Sequence, residues 1–581
     1  MANFFLDNDD IQFLFENMEL RHLAALYEEG FRFFQDHDFA PQDAEDAVDN
    51  YRRILSSLGE LAAEVIAPTA AQTDRVGNVL NEDGSVSYAP GITEAMACLS
   101  QADLMGFTLP YRFGGLNCPQ LVYTISNEIV SRADASLMNL YGLQGIAETI
   151  NAYADETIRQ DVLPDMAAGR KTGAMVLTEP DAGSDLQAVK VRAFQDGTGN
   201  WAVQGVKRFI TNGCGDVLLV LARSEPNLAD ARGLSLFLVE RGPRVKVRRL
   251  EEKLGIHGSP TCELFFDNAP ARLIGQRQRG LVTYVMSLMN GARVGIAAQS
   301  LGIGEAAYRV AREYAAKRRQ FGVEIDRIPA VRQLLVEMSV DLQAARALTY
   351  YTSFSMDVEV GTTRRLEGGG SFGEAETRRL QQEARGLRRI NTMLTPMSKY
   401  FASEMSMRVA NNAVAVLGGS GYMKDYSVER HLRDSRITTI YEGTSQLQVV
   451  AALGSVSTGL ARGLVEQLLN GSWPQAMAGH VEQVRRGLAL LDEAVGFAKG
   501  QAGAGYLDLY GRKIVDMACT LVVAALLCKH AAASERKLAV MQHWLAVKMP
   551  ELRMNRDLVC SGDEAVLGQF ETLVDAATLG L

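Results

Sequence analysis

The chain has 581 residues, 47% hydrophobic and 22% charged, with 59 Lys and Arg against 69 Asp and Glu. That length exceeds a single hydrophobic core and implies several packed units. A formal charge of −10 excludes a protein built around nucleic-acid phosphate, which needs a basic surface. The acidity is local. Residues 1–50 hold 13 acids and two bases, and the other 531 residues hold 57 bases and 56 acids. Seven scattered cysteines without a Cys-x-x-Cys fit a reducing compartment better than a disulfide or zinc framework. The N-terminus shows no basic stretch followed by an apolar one, so no secretory signal is read and a cytoplasmic location is expected.

From Ile11 to about Val65 apolar residues (Ile11, Leu14, Phe15, Met18, Leu23, Leu26, Tyr27) recur at helical spacing with acids between them. Helices are also expected over Ala95–Leu104 and Leu121–Arg132. At Lys171 the texture changes to short runs of Val, Leu, Phe and Thr. These are 173–178, 189–194, 201–210, 217–223, 234–240, 245–250 and 263–266, separated by turn residues. Strands this closely spaced predict an antiparallel barrel or sandwich.

After Gly280 the pattern is helical to the end. One helix is expected to begin near Ile303 and close at Arg318, with Gly322 as its C-terminal glycine. Gly368–Gly370 predicts a loop between two long helices, and Leu453–Thr458 a boundary. The apolar stretch Met517–Cys528, 12 residues long, is too short to cross a bilayer and predicts a buried helix. The expected fold class is α+β. Its parts are an acidic helical extension (1–60), an N-terminal helical domain (61–170), a central β-domain (171–280), a C-terminal helical domain (281–455) and a further helical extension (456–581).

Three motifs are candidates for chemistry, and each alone has an ordinary structural explanation. Thr178-Glu-Pro-Asp-Ala-Gly-Ser-Asp185 follows a strand and offers N–H groups and hydroxyls to a ligand, or is simply a turn. Arg318-Arg-Gln-Phe-Gly322 offers two guanidiniums to a pyrophosphate, or is a charged helix end. Ile440-Tyr-Glu-Gly-Thr-Ser-Gln-Leu-Gln448 follows Leu417-Gly-Gly-Ser-Gly-Tyr422 and places Glu442 among apolar residues. Such an environment raises a carboxyl pKa towards that of a general base; equally, an acid before a helix is favoured by its dipole.

In order and spacing, these strings resemble the acyl-CoA dehydrogenase family of flavoproteins. The family's Thr-Glu-Pro-x-Ala-Gly-Ser-Asp stands at Thr178–Asp185, its Ile-Thr-Asn-Gly at Ile210–Gly213, its Arg-x-x-Phe-Gly at Arg318–Gly322 and its Tyr-Glu-Gly-Thr at Tyr441–Thr444. The resemblance covers roughly residues 60–455. The insertion around Gly361–Arg385, the C-terminal extension and Lys253–Thr261 resemble the longer subgroup, which acts on methylthiopropionyl-CoA and fatty acyl-CoAs.

The resemblance implies FAD as cofactor and α,β-desaturation of an acyl-CoA to the trans-2-enoyl-CoA. Glu442 would be the base that takes the α-proton, and flavin N5 would accept the β-hydride. The Glu442 N–H would help hold the thioester oxygen. Leu177, Thr178, Gly183, Ser184, Phe209, Ile210, Thr211, Thr444 and Gln446 would contact FAD. Arg318, Gln320, Ala415, Gly418 and Gly419 would reach FAD across a subunit interface. Ser184, Asn290, Arg293 and Gly443 would contact the substrate, and Tyr141 would limit its acyl length. Three departures stand out: Ala415 replaces a common Gln, Ile328-Pro329 a His-Gln pair, and Gly291-Ala292 carry no carboxylate. The third leaves Glu442 as the base.

The resemblance also implies a homodimer and an electron-transferring flavoprotein as acceptor. Two alternatives share the fold: an acyl-CoA oxidase or monooxygenase, marked by peroxide formation, and a non-catalytic flavoprotein scaffold. Scattered histidines, Cys214 and Met393, Met397, Met405 and Met407 are expected to pack rather than to bind metal or partners. The acidic residues 1–50 are expected to face solvent or a basic partner and to be dispensable for flavin reduction.

Overall fold

The computed structural model describes residues 2–367, 372–501 and 505–574. The loop expected at Gly368–Gly370 lies outside them. Near the amino end, helices Asp9–Asn17 and Leu20–Tyr27 precede Ala44–Leu61. Asn8 and Asp43 cap the first and third by accepting backbone N–H bonds, with Asp9, Asp10, Glu45 and Asp46 in their first turns. Acids there complement the helix dipole, so part of the local acidity is helix-start chemistry. The third helix continues through a π-turn, Ala62–Ile66, into Ala67–Val76. The expected 60/61 boundary therefore falls inside one continuous helix.

As expected, most acids of the segment face solvent, Asp7, Asp9, Glu16, Glu19 and Glu29 among them, but its apolar side is part of the core. Phe5, Ile11, Leu14, Phe15, Leu20 and Leu23 are buried in the same core as Leu121, Ile125, Leu301 and Leu342. The helical periodicity that identified these helices also defined an apolar face that had to be covered.

The β-domain has seven strands: β1 (Gly173–Val176), β2 (Arg192–Gln195), β3 (Trp201–Thr211), β4 (Val217–Arg223), β5 (Leu234–Glu240), β6 (Val245–Leu250) and β7 (Thr261–Ile274). The ring β4-β2-β3-β7-β5 closes through β4–β5 pairing, with β1 on β4 and β6 on β7. It is antiparallel except where β1 and β2 join β4 in parallel. The strictly antiparallel expectation is corrected to that extent. Two inner layers are apolar. One, with Leu219, Leu221 and Leu236, packs against helices; the other, with Val203, Val220, Phe237 and Leu264, fills the barrel.

Helices Met286–Lys317, Pro329–Glu367 and Glu374–Leu417 pack with Gln120–Ala133. The helix expected from Ile303 starts a full 17 residues earlier, at Met286. Gly291 and Gly295 within it gave a weak helical signal. Gly322 is not a helix cap. Gln320 pairs with Val323 across a two-residue hairpin turn, with Phe321 at φ 51° and Gly322 at φ 83°. The expected boundary at 455/456 lies inside the helix Ser445–Ser457, and the chain turns at Gly459, φ 84°.

The C-terminal extension packs helices Gln475–Gly500, Gly511–Ala533 and Glu535–Val559 onto Val340, Leu348, Met397 and Val449. Helices over 44–76, 280–317 and 511–533 are each long and apolar enough to cross a membrane by length and composition. The last spans 23 residues rather than the 12 read from sequence, and 78% of its apolar window is buried in protein. Its apolar surface is occupied by packing.

Candidate active site

Glu442 sits on the loop between helices Val428–Thr438 and Ser445–Ser457. It is held at φ 54° and Gly443 at φ 88°, a left-handed pair that is costly for the non-glycine member. The surroundings fix it. Gln448 Nε2 donates to the carbonyls of Glu442 (3.0 Å) and Gly443 (2.9 Å). Lys399 Nζ donates to the Gly443 carbonyl at 2.8 Å. A Cβ on Gly443 would come within 2.6 Å of Gln448 Nε2, so only glycine fits. Thr444 caps the following helix by accepting from the Leu447 N–H. On the other side, the Tyr441 hydroxyl meets Gln299 Oε1 and Asn139 Oδ1, which ties the loop to two further helices.

Burial pushes the Glu442 carboxyl up to about 7, against the opposing charges of Lys399 and Arg293. Among the described residues its backbone N–H makes no hydrogen bond. The loop therefore presents a carboxylate able to exchange a proton near neutral pH beside a free backbone donor. Arg293 was expected to meet the substrate. Its charge also acts on Glu442, its Nη1 donates to Asn290 Oδ1 at 3.1 Å, and its Nε is buried without a partner.

The strand-end motif is rigid for a reason the sequence did not reveal. Glu179 accepts from the backbone of Lys190 (2.7 Å) and Val191 (2.9 Å) and pairs with fully buried Lys207 at 2.9 Å. Lys207 also donates to the Leu177 carbonyl at 2.7 Å. The Arg208 N–H donates to the Thr178 carbonyl at 3.0 Å, which draws the strand ends carrying Thr178 and Phe209 together. A register shift in β3 between Lys207 and Ile210 turns Phe209 outward at φ 60°, 51% exposed. Ile210 is buried in the barrel, so only its backbone is free to face a ligand. Thr211 is half-buried, Leu177 is buried, and Gly183 and Ser184 are exposed.

Further along, the Lys253–Thr261 loop docks the barrel on both helical regions. The Ile256 N–H donates to Asp434 Oδ1, the His257 ring lies between Asp74 and Lys253, and Gly255 abuts Arg433. Cys214 packs beside Tyr88. Tyr141 is buried, its hydroxyl donating to Ser126 Oγ at 2.9 Å.

The features fit a flavin nucleotide. Phe209 presents an apolar ring at the strand end. Cβ atoms built at Gly418 and Gly419 would meet nothing within 4 Å, leaving an open backbone cradle beside exposed Ala415. Arg318 and Gln320 are exposed, and among the described residues Arg318 has no carboxylate partner, whereas Arg319 pairs with Glu324 at 2.6 Å. An unpaired guanidinium suits a phosphate. Gln446 is exposed on the helix Ser445–Ser457 that follows the Glu442 loop.

The chain matches the family models for the acyl-CoA dehydrogenase N-terminal domain over residues 49–170, the middle domain over 174–269 and the C-terminal domain over 279–367 and 375–453. It belongs to the acyl-CoA dehydrogenase family. An acyl-CoA dehydrogenase of Bacillus subtilis is 36% identical over 352 residues, 59% of this chain and 84% of that protein. A 3-methylmercaptopropionyl-CoA dehydrogenase of Ruegeria pomeroyi is 32% identical over 437 residues, 70% of each chain. A solved Bacillus anthracis acyl-CoA dehydrogenase complexed with FAD shares the fold, with TM-score 0.74, 22% identity and 88% of each chain covered. The protein is thus a flavin-dependent oxidoreductase of acyl-CoA substrates with FAD as its cofactor.

Proposed function

We propose that the protein introduces the α,β double bond of an acyl-CoA thioester with Glu442 as the base. The observation that carries this is a half-buried carboxylate tuned to about 7 next to the unbonded Glu442 N–H. A thioester oxygen on that N–H would have its α-proton acidified, because enolate charge gathers where a fixed donor waits. Glu442, ionised near neutrality, would take that proton. FAD, when bound, supplies the acceptor for the electron pair that leaves the β-carbon. Leu177, Thr178, Gly183, Ser184, Phe209, Ile210, Thr211, Thr444 and Gln446 would hold it from one subunit, and Arg318, Gln320, Ala415, Gly418 and Gly419 from its neighbour. Ser184, Asn290, Arg293 and Gly443 would position the acyl-CoA.

The test is anaerobic mixing with acyl-CoAs of graded length. Glu442→Gln should retain FAD and bind acyl-CoA but leave the flavin absorbance unbleached. Bleaching at the wild-type rate would remove Glu442 as base.

We also infer a homodimer, an electron-transferring flavoprotein as acceptor and a cytoplasmic location. An Arg318 that completes a neighbour's site requires C2 pairing. The extension packed over Val340, Leu348 and Met397 covers a helical face that would otherwise be open to a second dimer. Light scattering should give a dimer; a tetramer would overturn this. Seven free cysteines support a reducing compartment.

A further inference from the structure

Three lysines are buried: Lys207, Lys399 and Lys537. Lys207 pairs with Glu179 and Lys537 with Asp10. Lys399, fully buried on the helix Glu374–Leu417, has no carboxylate within 4.0 Å among the described residues. An ammonium taken from water without a partner is expensive, and packing alone would be served better by Met or Leu. Among the described residues the Lys399 ammonium makes one hydrogen bond, to the carbonyl of Gly443, the residue after Glu442, 2.8 Å away.

We propose that Lys399 is the positioning residue of the catalytic base: it clamps the Gly443 carbonyl, keeps Glu442 in its left-handed conformation, and sets a positive charge beside the carboxylate. The role rests on Glu442 being the base. Gln448 supports the same Gly443 carbonyl and that of Glu442 as well, so the clamp has a neutral arm and a charged arm, and only the charged arm acts on the carboxylate. The ionisable groups around the pair come from every neighbouring element. Arg293 projects from Met286–Lys317 and Glu404 from the helix of Lys399, and Tyr441 is on the loop itself. Arg512 of the extension pairs with Glu404 at 2.9 Å. Burial pushes Lys399 down to about 7 despite the Glu442 charge. The two groups therefore compete for protons in the same range, and each stabilises the charged form of the other.

The experiment compares Lys399→Met, Lys399→Gln and Lys399→Arg with wild type and Glu442→Gln, as FAD-loaded proteins. The readouts are the pH profile of anaerobic flavin reduction by an acyl-CoA, FAD content and thermal midpoint. Loss of the neighbouring charge should shift the profile of Lys399→Met and Lys399→Gln up by about one pH unit. That is roughly a tenfold slower reduction on the acid limb, with recovery at high pH. Lys399→Arg should restore the wild-type midpoint. Lys399→Gln keeps a donor for Gly443 and carries the test should Lys399→Met fail to fold. A uniform loss at every pH, or an unshifted profile in Lys399→Gln, would overturn the proposal while leaving Glu442 as base. A Glu442→Gln protein that bleaches normally would instead remove the base on which it rests.

Discussion

Asp10 and Arg346, 336 positions apart, form an ion pair closed off from solvent. Lys537 shares the Asp10 carboxylate from the C-terminal extension. Arg346 also binds Glu128 at 2.7 Å and Glu305 at 2.9 Å, and the Tyr350 hydroxyl donates to Glu128 at 2.7 Å. The acidic segment, both helical regions and the extension thus meet at one buried cluster. Arg309 offsets Glu305 at 2.8 Å, so charge is balanced, which is the condition for burying it.

Asp10→Ala should therefore destabilise the whole chain by about 3–5 kcal/mol, because it strands Arg346 and Lys537. Burial pushes the Asp10 carboxyl up, but Arg346 and Lys537 outweigh it and hold it below the ordinary range. Its contribution is complete above the unfolded value near pH 4 and lost as pH falls through the lower folded one. Denaturant midpoints of wild type and Asp10→Asn should differ at pH 7 and converge as the pH falls below the unfolded value and through the lower folded one. Deleting residues 1–50 should abolish soluble FAD-bound protein, contrary to what the charge pattern alone suggested.

Flavin reduction in the wild type should rise with pH through about 7, where the Glu442 carboxyl ionises. The same shift has a stability cost of opposite pH sense. A carboxyl with a raised folded value contributes full stability below its unfolded value and loses it as pH rises towards 7. Glu442→Gln should therefore gain stability over wild type as the pH is raised from 4 to 8, measured by thermal unfolding. No gain across that range would mean that the carboxylate is not held against burial.

Much of this was legible in the sequence. Short runs of Val, Leu, Phe and Thr located the strands of the barrel, two of which, Val217–Arg223 and Leu234–Glu240, are buried along almost their whole length, and the Tyr441–Thr444 string marked the Glu442 loop. What stayed hidden depends on pairing across the chain. Lys399 lies in Thr395–Ser403 as the one charged residue among small, apolar and aromatic ones; nothing local says that its partner is the carbonyl of Gly443. Asp10 resembles any helix-start acid until Arg346 and Lys537 are placed against it. Phe209 turns outward through a bulge that no alternation pattern encodes.

One polar route from the extension to the Glu442 loop runs through Glu404. Arg512 pairs with Glu404 at 2.9 Å, and the Ser445 hydroxyl donates to Glu404 at 2.6 Å. Arg512 is half-exposed, so the pair is screened and worth little to folding. Arg512→Ala should leave the thermal midpoint near wild type. It should slow flavin reduction roughly twofold to fivefold, the effect of about 0.5–1 kcal/mol on a barrier. Stopped-flow reduction rates decide it, and an unchanged rate would mean that the extension does not steady the loop.

Tyr141 offers a test of acyl-length control. Its ring packs edge-on to Phe107 with centroids 6.2 Å apart and lies 5.7 Å from Tyr123, whose hydroxyl donates to the Tyr141 or Gly142 carbonyl. The three rings form a block behind Gly142, and a fully buried tyrosine at its centre sets how far that block can yield. Tyr141→Ala should cost about 3–5 kcal/mol, as for other large aromatic truncations in a core, and should raise the relative kcat/KM for longer acyl-CoAs. Tyr141→Phe keeps the ring and loses only the bond to Ser126, so it should keep the wild-type chain-length profile. If Tyr141→Ala is destabilised yet its profile across short and long acyl-CoAs is unchanged, the acyl chain ends elsewhere and the tyrosine serves packing alone.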